Sequence, residues 1–241
     1  MNSLVNNLIT KSLSVYHFFF LPSYSGIYFI TPKPPYMSQF IDILPSSRNP
    51  DILLDSKRDL EIFGAKDAKE FTFWAWRDCG IACVKMILEA KNTGKGKSMM
   101  DLTREGIDLG GYILYEKERF VDKGWFHLGL AKLLKKYGVS STIKKWQSIQ
   151  SVTNDIFSNK MVILSVTVPR RTSIKEDGSF QGKNNKKPGG HLLLATGVEM
   201  DGKKIIGIYA HDPRGLEKYQ EDTFIPKKVF DSIFSNRTIV A

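Results

Sequence analysis

Apolar positions recur at helical spacing in one stretch of the chain. Ile81, Val84, Ile87 and Leu88 fall three and four residues apart, with Ala82, Met86 and Ala90 as good helix formers between them, so a buried helix is predicted to open at about Cys79. Asp78 just before it is the residue type that accepts from the free N–H groups of a first helical turn, and Gly80 allows close approach there. Residues 192–198 form a short apolar run bounded by glycine, which reads as a buried strand entered from the break Pro188-Gly189-Gly190. Residues 204–210 read as the next strand, reached through the turn Met200-Asp201-Gly202-Lys203, so the pair makes a hairpin. Residues 56–64 read as a polar helical approach to the cysteine, and Ile41-Asp42-Ile43-Leu44-Pro45 as a short strand or a binding arm.

The first thirty-six residues follow a different pattern. An apolar run over residues 13–21 is broken by Pro22 and Gly26, and after residues 27–30 come Pro32, Pro34 and Pro35. The run is shorter than the roughly twenty residues a membrane span needs, so no membrane partner is expected. His17 in its centre, a single preceding charge at Lys11 and the lack of a small-x-small cleavage site argue against a secretion signal. The expected division is an N-terminal extension over residues 1–36, disordered, signal-like or the result of a start misassigned ahead of Met37, and one globular domain over residues 37–241. A composition of 42% hydrophobic residues is ample for that core. The expected location is cytoplasmic, or secreted if residues 1–36 act as a signal.

Charge changes this picture only locally. A net charge of +10 raises the question of nucleic acid, because clustered lysines neutralise phosphates. Lys132, Lys135, Lys136, Lys144 and Lys145 surround a helix and a strand, however, and Arg170, Arg171, Lys175, Lys183, Lys186 and Lys187 crowd the loop over residues 168–190, with Phe180 the one aromatic available for stacking. Solvated faces and a basic loop are the favoured account, and nucleic acid is not the expected partner. The loop is long, polar and ends at His191, which predicts that it flanks a cleft and prefers acidic or extended peptide segments.

The chemistry centres on Cys79. A helix N-terminus presents free N–H groups and the positive end of the peptide dipoles, the setting in which thiolate nucleophiles are built. Cys83, one turn on between Ala82 and Val84, reads as core. Two cysteines at i and i+4 make neither a disulfide scaffold nor a metal site, so no metal or cofactor is expected and a reducing compartment is the simpler inference. Asn92-Thr93-Gly94-Lys95-Gly96-Lys97-Ser98 lacks the length of a phosphate loop and follows a helix, so it reads as a solvated interhelical loop. A nucleophile needs a base, and the histidines are His17, His127, His191 and His211. His191 stands at the mouth of a buried strand, and the hairpin returns Asp212 toward it. His211 competes with Asp212, but neighbours on a strand point to opposite faces and the Asp-Pro turn favours Asp212. His127, at the start of a helix, is a cleft or structural residue.

On Asp78-Cys79-Gly80-Ile81-Ala82 with Met86, Gly190-His191-Leu192-Leu193-Leu194-Ala195-Thr196-Gly197 and His211-Asp212-Pro213, the chain resembles the papain-like cysteine peptidases of the bacteriocin-processing type, family thirty-nine, and especially their stand-alone relatives. Gly124-Trp125-Phe126-His127-Leu128-Gly129-Leu130-Ala131 with Tyr137-Gly138-Val139 resembles the family's middle helix and following strand. Met161-Val162-Ile163-Leu164-Ser165-Val166 resembles its strand before the histidine loop. The resemblance implies an α+β papain-like fold, a helical subdomain packed on an antiparallel β-sheet with a cleft between them. It implies hydrolysis of a peptide or protein substrate through Cys79, His191 and Asp212. One position departs: where the family has a glutamine that donates to the oxyanion, this chain has Phe73, and losing such a donor costs about 100- to 1,000-fold in turnover. Trp76, Arg77 and backbone N–H groups near Asp78 are the candidate replacements. A non-catalytic peptide-binding module on the same fold is the alternative.

Overall fold

The computed structural model describes residues 21–43, 53–116, 119–120, 123–169, 188–215 and 220–241. Residues 170–187 of the basic loop expected over 168–190, and the apolar run before Leu21, lie outside them. Two compact units divide the chain, one built from residues up to Lys33, Thr142–His211 and Glu221–Ala241, the other from Pro34–Ser141 and Asp212–Gln220.

The second unit is helical. Helix α1 (Lys57–Phe63) starts at Ser56, whose hydroxyl accepts from Asp59 N, and stops at Gly64 in the left-handed conformation, φ 80°, the stop that glycine makes easy. This matches the polar approach helix expected over residues 56–64. Helix α2 (Ala68–Ala75) was not anticipated. Its signal is Asp67, which accepts from Glu70 N, with Glu70 accepting in return from Lys66 N, a variant of the reciprocal N-terminal cap. Helix α3 (Cys79–Ala90) buries Gly80, Ile81, Ala82, Cys83, Val84, Met86, Ile87 and Leu88 and so is wrapped on nearly all sides. Helix α4 (Met99–Asp108) opens with a Ser98–Asp101 capping box after the predicted interhelical loop, and helix α5 (His127–Lys136) packs with α3 and α4. Gly129 on α5 meets Gly111 so closely that a Cβ would sit 2.0 Å from the Gly111 Cα, a contact only glycine permits. The short strands β2 (Tyr115–Glu116) and β3 (Arg119–Phe120) pair antiparallel.

The first unit is a seven-stranded antiparallel sheet. β1 (Gly26–Phe29), β4 (Thr142–Lys145), β5 (Val162–Pro169), β6 (Pro188–Asp201), β7 (Lys204–His211), β8 (Thr223–Pro226) and β9 (Phe234–Val240) are arranged in the order β4-β9-β5-β6-β7-β8, with β1 pairing β6. Helix α6 (Ile149–Phe157) lies against β5 and β6, and helix α7 (Lys227–Ile233) against β5, β7 and β8. β6 is the central strand and is buried almost continuously from His191 to Val198, which explains its unbroken apolar run. The β6–β7 hairpin forms as expected, with Asp201 opposite Lys204 and Gly202 at φ 57° in the turn.

Three details correct the sequence reading. Pro188, Gly189 and Gly190 are not a break but the first residues of β6, opposite Pro169, Val168 and Thr167; β5 supplies the partner, and a strand's first residue tolerates proline. Residues 41–42 are turn and residue 43 is irregular, so the described part of this segment is not strand. The expected boundary at residue 36 falls too late: Gly26–Phe29 pairs with residues 197–200 of β6, and Leu21 and Ile30 are buried. Among the described residues no helix is long and apolar enough to cross a membrane.

A chain started at Met37 loses β1 and the burial of Leu21 and Ile30. Burying such side chains is worth roughly 1.5–3 kcal/mol each, so its urea-unfolding midpoint is expected to fall by the equivalent of about 3–6 kcal/mol.

Candidate active site

In the helical unit a tight turn joins α2 to α3. Arg77 N and Asp78 N both donate to Trp74 O, at 2.7 and 2.8 Å, and the chain re-enters a helix at Cys79. Cys79 is partly exposed and Cys83 fully buried. Burial pushes the Cys83 thiol well above its ordinary range, and the nearby Cys79 and Asp212 charges push it the same way. Cys83 is therefore a core residue, as expected, and Asp212 belongs to the surroundings of this helix end.

Asp78 does not cap the helix. Its backbone, at φ −83° and ψ 24°, is not in the extended conformation that aims a capping side chain at the next N–H groups. The side chain instead turns inward to Thr103 on α4, with Oδ2 2.6 Å from Thr103 Oγ1. Asp78 is completely buried, and desolvation holds its acid well above the usual carboxylate range against the pull of Thr103, Trp125 and Arg77. Oδ1 and the Trp125 indole N–H are both buried and outside hydrogen-bond geometry. The indole is nevertheless near enough to favour the ionised carboxyl.

Phe73 lies on α2, and the Arg77 guanidinium sits 3.8 Å above its ring while Nη1 donates to Phe73 O at 2.8 Å. At the position where a glutamine donor was expected, Phe73 therefore offers an aromatic ring with a cation stacked on it. Trp76 is exposed and meets Phe40 edge-on at 4.9 Å. His127 begins α5 and is partly exposed.

Asp212 opens the segment that returns to the helical unit. It is completely buried, and its carboxylate is held by Arg214: Arg214 N donates to Oδ1 at 3.0 Å, Nε reaches Oδ1 and Oδ2 at 3.1 and 2.9 Å, and Nη2 bonds Oδ2. Asp212 N donates to Gln220 O, and Tyr36 Oη donates to Asp212 O. Gln39 bonds both the Asp212 turn and the end of α2. Gln39 N donates to Pro213 O at 2.7 Å, and buried Gln39 Nε2 donates to Ala75 O at 2.7 Å. Sequence reasoning missed Arg214, Gln39, Tyr36 and Thr103; only Arg214 had a local signal, the Asp-x-Arg turn.

His191 belongs to the sheet unit. It lies inside β6 opposite Val166, buried, rather than at the strand's mouth, because β5 extends the pairing past it. β7 stops at His211 opposite Leu194, so β6 runs on beyond the hairpin at His191. His211 is fully buried and accepts from Asp222 N through Nδ1 at 3.1 Å, which places the neutral ring's proton on Nε2. Asp222 is further bonded by Thr196 and Lys33. The structure thus brings Cys79, Asp78, Arg77, Trp76, Phe73, His127 and Asp212 into one unit and places His191 in the other. Among the described residues no group of three His, Cys, Asp or Glu side chains is arranged to hold a metal.

The family model of the Peptidase C39-like family matches residues 66–238. The chain belongs to that family, with an α+β fold of the papain-like C39 type. A solved C39-like peptidase from Bacillus anthracis is similar over 88% of this chain and 96% of its own, with a TM-score of 0.51 and 16% identity. A double-glycine-motif protease from an AMS/PCAT transporter, solved with its leader peptide, aligns over 67% of this chain and 81% of its own, at a TM-score of 0.38 and 15% identity. No curated protein matches the chain.

Removing one member of a buried ion pair strands the other charge, at roughly 3–5 kcal/mol. Arg214→Ala is expected to lose about that much stability in urea unfolding, and Asp212→Asn added to it should recover part of the loss in a double-mutant cycle.

Proposed function

We propose that this member of the C39-like family is a thiol-dependent hydrolase that cleaves a peptide amide bond. The observation that carries the reading is Cys79, the partly exposed first residue of a helix whose other cysteine is buried and inert. In this reading the Cys79 sulfur attacks the substrate carbonyl and His191 takes the thiol proton. His191 then gives that proton to the leaving amine, and a thioester remains on Cys79. Water attacks the thioester with His191 as base; the acid product leaves and the thiol is restored. Asp212, fixed by Arg214, orients the imidazole and stabilises its cationic form. The substrate is a peptide or protein, and the site acts within the domain expected over residues 37–241, extended by β1.

Phe73 calls for another oxyanion donor. Backbone N–H groups at the start of α3, with Arg77 held on the Phe73 ring, are the groups proposed for it. The same replacement favours a second reading, a peptide-binding module on this fold with little chemistry, because the ring offers no donor where one is expected.

Alkylation separates the two. In a Cys83→Ala background, iodoacetamide is expected to label Cys79 faster than a free thiol at mildly acid pH, and His191→Ala to abolish the advantage. Equal, slow labelling of both chains would leave the binding module. With a cleaved peptide in hand, Asp212→Asn is expected to lower turnover by roughly 1,000- to 10,000-fold.

A further inference from the structure

The contacts of Asp78 can be counted proton by proton. Thr103 Oγ1 lies 2.6 Å from Asp78 Oδ2 and 2.9 Å from Met99 O. A threonine hydroxyl carries one hydrogen. Were Asp78 ionised, both neighbours would be pure acceptors, and one of the two contacts would be oxygen against oxygen with no proton between. A proton on Asp78 Oδ2 removes the conflict: the acid donates to Thr103 Oγ1, and Thr103 donates to Met99 O. A separation of 2.6 Å suits an O–H···O bond. The Trp125 indole N–H and Oδ1 are buried and outside hydrogen-bond geometry, so neither adds a proton to this count.

Charge points the same way. The side chain is completely buried, and an isolated carboxylate there would be strongly disfavoured by the loss of its hydration. The cation that acts on it is Arg77, which is stacked on Phe73 and bonded to Phe73 O. The other groups against the carboxyl, Thr103 and Trp125, are uncharged.

We infer that Asp78 is a neutral carboxylic acid in the folded protein, a positioning residue that ties the turn carrying Cys79 to α4 without setting a negative charge beside the thiol. The benefit to Cys79 rests on the proposed hydrolase reading; the protonation does not. A carboxylate one residue from the nucleophile would oppose thiolate formation by like-charge repulsion, whereas a neutral acid gives the same anchorage as a donor, a role known for carboxylic acids held in apolar sites.

The test compares the full chain with Asp78→Asn, whose amide N–H can donate to Thr103 in the same place. Infrared spectra at neutral pH are expected to show the C=O stretch of a protonated carboxylic acid that Asp78→Asn lacks. The folding constant of the wild-type chain relative to Asp78→Asn is expected to fall about tenfold per pH unit above about pH 4, because unfolding releases the proton. The sign is that of a raised acid: its stabilisation is complete below the unfolded value and is lost as pH rises toward the folded one. No such band, or a folding ratio that is flat or rises with pH, would overturn the inference. Should Asp78→Asn fail to fold, Thr103→Val removes the acid's acceptor and must move the band. A band that stays where it was counts against Asp78. Neither readout uses a substrate, so a chain that cleaves no peptide yet passes both tests sinks the hydrolase reading alone.

Discussion

Near-complete burial of α3 is the constraint on which the helical unit depends. Eight of its residues are enclosed, and at its middle Lys85 bonds Glu89 and Lys97 O. Its N-terminal end is fixed by three independent attachments. Trp74 O receives two N–H groups of the turn, Asp78 is anchored on Thr103, and Trp74, Tyr112 and Trp125 pack as an aromatic cluster with ring centroids 5.0–6.2 Å apart. The Gly111–Gly129 contact sets how near α5 can come to this cluster. These attachments fix the residues that lead into Cys79, and close-packed interiors transmit position.

The Asp212 segment obeys a different logic. A fully buried carboxylate is tolerable only with a counter-charge and donors, and Arg214 supplies both from two residues away. Gln39 and Tyr36 then bond the backbone of this turn. Gln39 also reaches the end of α2. One short stretch of chain therefore registers the Asp212 turn against the helix that precedes Cys79.

What could be read beforehand were the features set by short-range chemistry. The period of α3, the helical approach over residues 56–64 and the tight β6–β7 turn are written in neighbouring residues, and each appears as expected. Family membership was legible from the motifs around Cys79, His191 and Asp212. The misses depend on distant partners. Pro188-Gly189-Gly190 looks like a break until β5 pairs with it, and residues 26–29 look like extension until β6 does. Asp78 reads as a cap because Thr103 is far off in sequence. The α2 helix was readable from Asp67 and Glu70, yet its mixed Phe and Trp content hides the helical period.

The path of the chain between the two units has a consequence for how the protein is made. Neither unit is a continuous stretch: the sheet unit takes three segments of sequence and the helical unit two. Gly26 pairs with Met200, so β1 waits for its partner while the intervening chain, including Pro34–Ser141 of the helical unit, is synthesised, roughly 10–35 s at ordinary elongation rates. Contacts so far apart in sequence slow folding through loop-closure entropy. During that interval the apolar residues of β1 are exposed with an unpaired edge, which makes nascent-chain protection, rather than final stability, the step at which this architecture is most vulnerable.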